Sequence, residues 1–178
     1  MPTPFGHAVA GLASALAANS TARRPGLTPG LLLAAGAIAM APDLDLLAGS
    51  HRTVTHSIGA IVFVAVVSWL VLRSRPDALA AAGALTAAYA SHPILDWMGK
   101  DSSFPPGVSI LWPFSEAFYL SGWNVFGEVS RRYWLVEEFV LGNILALGME
   151  LLILGPVLIV AWIMWSNRTV RVHGRLAD

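Results

Sequence analysis

The stretch LVEEFVLGNILALGMELLILGPVLIVAWIMW, residues 135–165, decides the class of fold. Apart from three glutamates it is uncharged, and it is long enough to cross a hydrocarbon core with some tilt. Four further apolar segments precede it, at residues 5–19, 27–49, 55–72 and 77–97. We therefore expect an all-α fold, a multi-pass transmembrane bundle of about five helices. The first segment is shorter than the ~20 residues that an untilted crossing needs.

The composition also indicates a membrane protein. Of the 178 residues, 56% are hydrophobic and only 12% are Asp, Glu, Lys or Arg, about half the charged share of an ordinary soluble domain. The net charge is zero and the basic residues are dispersed, which argues against a nucleic-acid partner. The chain has no cysteine, which excludes disulfides, thiolate metal sites and cysteine nucleophiles. We expect one membrane-embedded domain over residues 1–178, with a C-terminal tail at 166–178.

The distribution of basic residues predicts the orientation of the bundle. If every segment crosses, one side carries Arg23, Arg24, Arg73, Arg75, Arg168, Arg171 and Arg175, and the other carries Arg52, Lys100, Arg131 and Arg132. The positive-inside rule makes the first side cytoplasmic, together with the C-terminus. We therefore expect a multi-pass protein of the cytoplasmic (inner) membrane.

Histidine and acidic residues gather at the ends of apolar segments on the predicted extracytoplasmic side. They are His7, the run Pro42-Asp43-Leu44-Asp45, the run His51-Arg52-Thr53-Val54-Thr55-His56, and the run His92-Pro93-Ile94-Leu95-Asp96. Imidazole nitrogen and carboxylate oxygen are ligands that divalent cations accept, and ionisable groups are costly in a membrane. The pattern predicts a metal centre formed by His56, His92 and Asp96 with Asp43 or Asp45.

Each of these motifs also has a structural interpretation. His7 can be a histidine at a helix start, the acidic pair can be a solvated helix exit, and Thr55 can cap the following helix. The i, i+4 spacing of His92 and Asp96 puts both on one face of a regular helix. Pro93 between them disfavours helical geometry at His92 and predicts a kink.

One further acid, Glu150, lies deep in the last segment. We interpret it as a protonated or hydrogen-bonded acid that faces the bundle near Asn143.

The ordered set of motifs from His7 to the run Gly107-Val108-Ser109-Ile110-Leu111-Trp112-Pro113-Phe114 resembles the YdjM-like family of bacterial and archaeal inner-membrane proteins. The resemblance covers nearly all of the chain up to Phe114 and implies a metal-dependent hydrolase. A more distant similarity is to the zinc-dependent phospholipase C group of all-helical enzymes. It implies that His7 is a further ligand and that Asp96 bridges two ions.

The phospholipase C group has one more downstream histidine motif, which this chain lacks. By that comparison His51 and either Glu137 or Glu138 take its place as ligands, or one metal position is absent. The ligand set that the resemblance implies is therefore His7, Asp43, Asp45, His56, His92, Asp96 and Glu138.

The chemistry that suits this set is metal-assisted hydrolysis with one to three divalent ions, for which Zn²⁺ is the expected metal. We expect the less metal-engaged member of the Asp43 and Asp45 pair to act as general base. His51 and Arg52 complete the predicted catalytic set, and Arg52 is suited to hold a phosphate. An arginine that only faces the loop or the headgroups is the alternative.

The segment at residues 99–134 bears on the substrate. It contains Phe104, Trp112, Phe114, Phe118, Tyr119, Trp123, Phe126, Tyr133 and Trp134, and aromatic rings favour the headgroup layer. We therefore expect an interfacial segment beside the site and a phosphoester of a phospholipid or other lipid-linked substrate. The alternatives are a zinc-dependent lipid amidase of the ceramidase-like type and a non-enzymatic metal-binding membrane protein.

Overall fold

The computed structural model describes residues 1–22, 26–49, 51–129 and 134–174, without the side chains of residues 48, 138, 173 and 174. It contains the α-helices α1 (Pro4–Ser20), α2 (Pro29–Met40), α3 (Ile58–Leu72), α4 (Ala78–Met98) and α5 (Val136–Gly174). Two 3-10 helices, Ala41–Ala48 and Val54–His56, join α2 to α3. The expected all-α fold with five helices is confirmed.

Within these described ranges, three helical stretches are long and apolar enough to cross a membrane: Pro29–Leu47, Ala78–Met98 and Phe139–Val172. The shorter helix Ile58–Leu72 is also apolar. Large apolar side chains of α3 and α5 point outward, among them Phe63, Val71, Leu152 and Ile159. Such a surface suits contact with lipid and not with water.

The shortest of the predicted segments, α1, lies at the centre of the bundle. It packs against α2, α4 and α5, and ten of its 17 residues are buried. The core around it consists largely of alanine, including Ala15, Ala35, Ala84 and Ala88. Small side chains let helix backbones approach closely inside a membrane. Because α1 contacts protein on several sides, it does not need the hydropathy of a lipid-facing span.

Prolines act differently at two places in the chain. At Pro42 the α-helix gives way to a 3-10 helix, as expected for a residue that cannot donate a backbone hydrogen bond. Pro93 by contrast lies inside α4, which continues to Met98. The prediction that Pro93 disturbs helical geometry at His92 is wrong. His92 and Pro93 are both buried where α4 packs against α1 and α2, so tertiary packing outweighs the local preference.

The ends of the helices bring the sequence motifs together. The start of α1, the end of α2, the start of α3, the end of α4 and the start of α5 lie at one end of the bundle. Residues 99–129 follow α4 as irregular chain with two isolated bridges, Gly99 to Phe126 and Val108 to Tyr119. Backbone hydrogen bonds from Ile58 and Gly59 attach this segment to the start of α3. Its position at the membrane interface stays a prediction.

The contact between α1 and α2 predicts the effect of one methyl group. A Cβ atom at Gly11 would lie 2.2 Å from the Cβ of Ala39 and 3.2 Å from the carbonyl oxygen of Ala35. We expect Gly11→Ala to lower the free energy of unfolding by about 1–3 kcal/mol, because a packed core resists an extra methyl group. Thermal unfolding in detergent measures this effect.

The matched control is Gly83→Ala in α4, where nothing lies within 4 Å of the added methyl group. Alanine there should be neutral or stabilise by about 0.5–1 kcal/mol, since glycine inside a helix carries an entropic penalty. Equal stability of the two variants would contradict the close approach of α1 and α2.

Candidate metal centre

Four side chains from three parts of the chain converge at the motif-bearing end of the bundle. Asp43 comes from the first 3-10 helix, His56 from the second, and His92 and Asp96 from α4. One ligand atom from each of them lies within 4.8 Å of all the others. The i, i+4 spacing therefore brings His92 and Asp96 to the same site, as the sequence predicts.

The spacing of these atoms fits a small cation. The Nε2 atoms of His56 and His92 lie 3.1 Å apart. Asp96 Oδ2 lies 3.4 Å from the Nε2 atom of His56 and 3.3 Å from that of His92. Asp43 Oδ1 lies 3.8 Å from the Nε2 atom of His56 and 3.5 Å from that of His92. A tetrahedral ion with ligand bonds of 2.0–2.1 Å requires ligand-to-ligand distances of about 3.3–3.4 Å. The separations that involve a histidine nitrogen, between 3.1 and 3.8 Å, are thus close to those of a tetrahedral ligand set.

Hydrogen bonds on the far side of each imidazole direct its Nε2 atom into the site. The Nδ1 atom of His92 lies 2.7 Å from the carbonyl oxygen of Ala39, which can only accept, so Nδ1 carries the proton. The Nδ1 atom of His56 lies 2.9 Å from Thr55 Oγ1 and 3.3 Å from Asp45 Oδ2. Such outer partners fix the tautomer of a metal-binding histidine.

The burial of Asp96 is the strongest sign that a cation belongs here. Its side chain is 1% exposed, and both of its carboxylate oxygens lack a hydrogen-bond partner among the described residues. A buried carboxylate without donors is costly unless a positive charge compensates it. The residues therefore fit a divalent metal.

His7 from α1 completes this part of the site. Its Nε2 atom lies 3.4 Å from Asp96 Oδ1, whereas His56 and His92 contact the other oxygen, Oδ2. Its ring stacks on the ring of His92 at 3.6 Å between centroids. The two oxygens of Asp96 thus face different histidines, which is the arrangement that a bridging carboxylate needs.

Asp45 organises the loop beside the four-residue cluster. Its Oδ1 atom accepts from His51 Nδ1 at 2.8 Å, and its Oδ2 atom accepts from Arg52 N at 3.0 Å and Thr55 Oγ1 at 2.6 Å. With His51 and His56 it also forms a second group that could hold an ion. Thr55 is thereby engaged with Asp45, and the residue that caps α3 is Ser57. The interpretation of Thr55 as the helix cap is wrong.

Arg52 is held by an acidic residue that the sequence interpretation missed. Its guanidinium forms an ion pair with Asp101 and donates to Gly107 O at 3.3 Å. Its backbone adopts a left-handed φ of 68°. Asp101 also accepts from Gly107 N at 2.8 Å. The only local signal for Asp101 is the serine two residues later, which suits a turn, and the pairing across the chain is not visible in the sequence.

A cavity of about 880 Å³ opens beside the cluster. Its wall includes Asp43, His51, Arg52, Asp101 and Glu128, together with apolar residues from α1 and α5. Asp43 is therefore shared between the four-residue cluster and the cavity. The arrangement places a candidate metal site at the wall of a space large enough for a small organic group.

The remaining acidic candidates lie elsewhere. Glu137 is exposed and is in neither cluster of the described residues, and the side chain of Glu138 lies outside them. Glu150 is buried and accepts hydrogen bonds from Thr3. Thr3 lies one helical turn before His7 in α1, so Glu150 lies close to the candidate site.

Two histidines outside the spanning helices have shifted pKa values. Burial lowers the pKa of His51 more than its hydrogen bond to Asp45 raises it. For His56, burial lowers the pKa, but Asp43, Asp45 and Asp96 outweigh that effect and raise it to about 10. Without a metal the three carboxylates thus favour a positive charge on His56, which again indicates a site built for a cation.

The profile of the YdjM inner membrane protein family matches residues 1–170 of this chain. The chain belongs to that family. The resemblance inferred from the motifs between His7 and Phe114 is confirmed and extends through most of α5. No curated protein and no solved structure matches the chain, so the more distant similarity to the phospholipase C group has no support from them. Family membership and the three apolar helices agree on a membrane protein.

The cluster predicts that protein purified without chelator contains about one divalent ion per chain. We expect His92→Ala and Asp96→Asn each to reduce this content below half an ion, because each removes one of four converging ligands. Elemental analysis of the purified protein measures the content.

The control is Asp77→Asn, which alters a carboxylate that pairs with Arg75 in the turn between α3 and α4. Its metal content should equal that of the unchanged protein. A content that is low in all three variants and in the unchanged protein would contradict the metal centre.

Proposed function

We propose that this protein is a membrane-bound, Zn²⁺-dependent hydrolase that cleaves a phosphoester of a phospholipid or other lipid-linked substrate. The observation that carries the proposal is the position of Asp43, which belongs both to the four-residue cluster and to the wall of the cavity. A substrate in this cavity would therefore lie against the metal ligands.

His56, His92, Asp96 and Asp43 are the residues proposed to hold the ion, with His7 against the second oxygen of Asp96. When bound, the ion supplies Lewis acidity that polarises a phosphoryl oxygen and makes water acidic enough to attack near pH 7. Two nitrogen and two oxygen ligands with tetrahedral separations favour zinc over magnesium or calcium, which prefer six or more oxygen ligands.

We propose His51 as general base in place of the carboxylate expected from the sequence, because Asp43 belongs to the four-residue cluster and both oxygens of Asp45 accept hydrogen bonds. It lines the cavity, and Asp45 fixes its ring by accepting a hydrogen bond from Nδ1. Burial keeps the pKa of His51 low, so its imidazole is neutral near pH 7 and able to take a proton. Asp45 is then a positioning residue for both His51 and His56.

The surroundings of the cavity support the proposal of a lipid substrate. Leu46, Phe139 and the start of α1 line it on the side of the apolar helices. A substrate with a polar ester and a hydrocarbon part would meet both surfaces at once. Arg52 lines the cavity and is proposed to bind the phosphate of the substrate, while Asp101 holds its guanidinium group in place.

The orientation of the bundle completes the proposal. We place the metal centre on the extracytoplasmic side and the C-terminus in the cytoplasm, in accordance with the distribution of arginine and lysine. The odd-numbered helices then run outside to inside.

Activity tests separate the residues that hold the ion from the residue that moves the proton. Asp96→Asn should abolish release of phosphate or headgroup and deplete the metal. His51→Gln should retain the metal but lower turnover by about 100- to 10,000-fold, the usual contribution of general acid–base catalysis. The assay presents a panel of phospholipids and lipid-linked phosphates to the metal-loaded protein, with Asp77→Asn as the active control.

Two outcomes would overturn this assignment. Metal-dependent release of an amine from lipid amides, without turnover of phosphoesters, would favour the ceramidase-like alternative. A stoichiometric metal without turnover of either class would favour a non-enzymatic metal-binding protein.

The orientation predicts opposite compartments for two positions in the chain. A phosphatase reporter fused after Gly49 should be active, since that site is extracytoplasmic, and the same reporter fused after Trp165 should be inactive. Activity of both fusions, or of neither, would contradict the proposed threading.

A further inference from the structure

Glu150 is a buried acid that the proposed chemistry does not use. It lies within the apolar stretch Phe139–Val172 of α5, and its residue is 1% exposed. Ionisable side chains are expensive at such a position and are usually kept for a specific partner. A buried acid in an apolar helix therefore requires a polar partner.

That partner is the start of α1. Glu150 Oε1 accepts from the backbone N–H of Thr3 at 2.6 Å, and Oε2 accepts from Thr3 Oγ1 at 2.5 Å. The carboxylate also occupies the space beside Gly6, where a Cβ atom would lie 2.3 Å from Oε2. Two hydrogen bonds to Thr3 and close packing against Gly6 thus hold the carboxylate at the first turn of α1.

The contact suits a helix N-terminus electrostatically. Thr3 is the N-cap of α1, and its hydroxyl accepts from Gly6 N at 3.0 Å while it donates to Glu150. Backbone N–H groups at this end of a helix carry partial positive charge, so a carboxylate there is stabilising.

The same turn of α1 leads directly to the metal centre. The backbone N–H of His7 donates to Thr3 O at 3.0 Å, so one hydrogen bond separates the residue that Glu150 holds from His7. The ring of His7 stacks on His92 and its Nε2 atom faces Asp96 Oδ1. A shift of α1 along its axis would therefore move His7 relative to the other ligands.

We propose that Glu150 is a positioning residue for the metal centre, which sets the start of α1 so that His7 stays against His92 and Asp96. This inference rests on the proposed metal-dependent function. Helix α5 contributes no residue to the four-residue cluster. Through Glu150 it would nevertheless affect the affinity for the metal.

The same contacts would be present if Glu150 only anchored α1 to α5 without affecting the metal ligands. A hydrogen bond at the other end of α1 and α5 provides a control that distinguishes the two roles. There Trp165 Nε1 donates to Asn19 Oδ1 at 3.0 Å. Asn19 lies twelve residues after His7 in α1, or about 18 Å along the helix axis. Trp165→Phe thus removes a hydrogen bond between α1 and α5 without touching the start of α1.

The experiment compares Glu150→Gln with Trp165→Phe in the full-length protein in detergent, by Zn²⁺ titration and by thermal unfolding without metal. Glutamine keeps an acceptor for Thr3 N–H but presents an NH₂ group where Oε2 accepts from the hydroxyl. We expect Glu150→Gln to weaken Zn²⁺ binding by about 10- to 100-fold, as loss of an outer-shell partner does. Trp165→Phe should lower the unfolding temperature but leave Zn²⁺ affinity unchanged.

A double-mutant cycle shows whether Glu150 acts through His7. In a His7→Ala background, Glu150→Gln should cause almost no further loss of Zn²⁺ affinity, because the group that it positions is gone. Thr3→Val removes only the hydroxyl contact and should weaken Zn²⁺ binding less than Glu150→Gln. It therefore tests the same contact even if Glu150→Gln does not fold.

The imidazole ¹⁵N resonances of His7 in the metal-free protein give a readout that does not require metal binding. They should shift in Glu150→Gln and Thr3→Val and not in Trp165→Phe. If the unchanged protein binds no Zn²⁺ but these shifts occur, the proposed function fails and the positioning of His7 stands. Unchanged His7 resonances and Zn²⁺ affinity in Glu150→Gln, or an equal loss of affinity with and without His7, would overturn the inference.

Discussion

The structure depends on one constraint, the compensation of a carboxylate that is shut off from water. Asp96 is 1% exposed, and in the part of the chain that the structure describes neither of its oxygens has a hydrogen-bond partner, so its charge must be balanced by the groups that surround it. His7, His56 and His92 supply this surrounding from α1, the loop before α3, and α4. Bringing three imidazoles within 3.3–3.4 Å of one carboxylate requires these parts of the chain to meet at the same end of the bundle. A cation held among them would remove the electrostatic cost of burying this carboxylate.

The position of α1 follows from the same constraint. This helix carries His7 and lies at the centre of the bundle, where its small side chains allow close contact with α2 and α4. Helix α5 holds it at both ends, through Glu150 and Thr3 near the metal centre and through Trp165 and Asn19 at the other end. Because packing in lipid gains little from burial of apolar surface, such polar contacts matter for the relative position of transmembrane helices.

Much of the fold and part of the candidate site follow from the sequence by local rules. Helix periodicity places His92 and Asp96 on one face, and hydropathy identifies all five helices. The predicted segment at 27–49 runs past the end of α2 at Met40, and α5 continues beyond the predicted segment to Gly174. The effect of Pro93 was not predictable in this way, because tertiary contacts override the local backbone preference. The contact of Glu150 with Thr3 joins residues 147 positions apart, and no periodic pattern encodes such a pairing. Sequence reasoning therefore finds the ligands more readily than the groups that hold them in place.

The most direct test of this account is anomalous X-ray diffraction at the zinc edge on crystals grown from protein purified without chelator. The account predicts one peak enclosed by His56, His92, Asp96 and Asp43, at 2.0–2.2 Å from nitrogen and oxygen ligands. It also predicts that the peak disappears in Asp96→Asn. A metal-loaded crystal whose anomalous peak lies outside these four side chains, or the absence of any peak after soaking with Zn²⁺, would contradict the account.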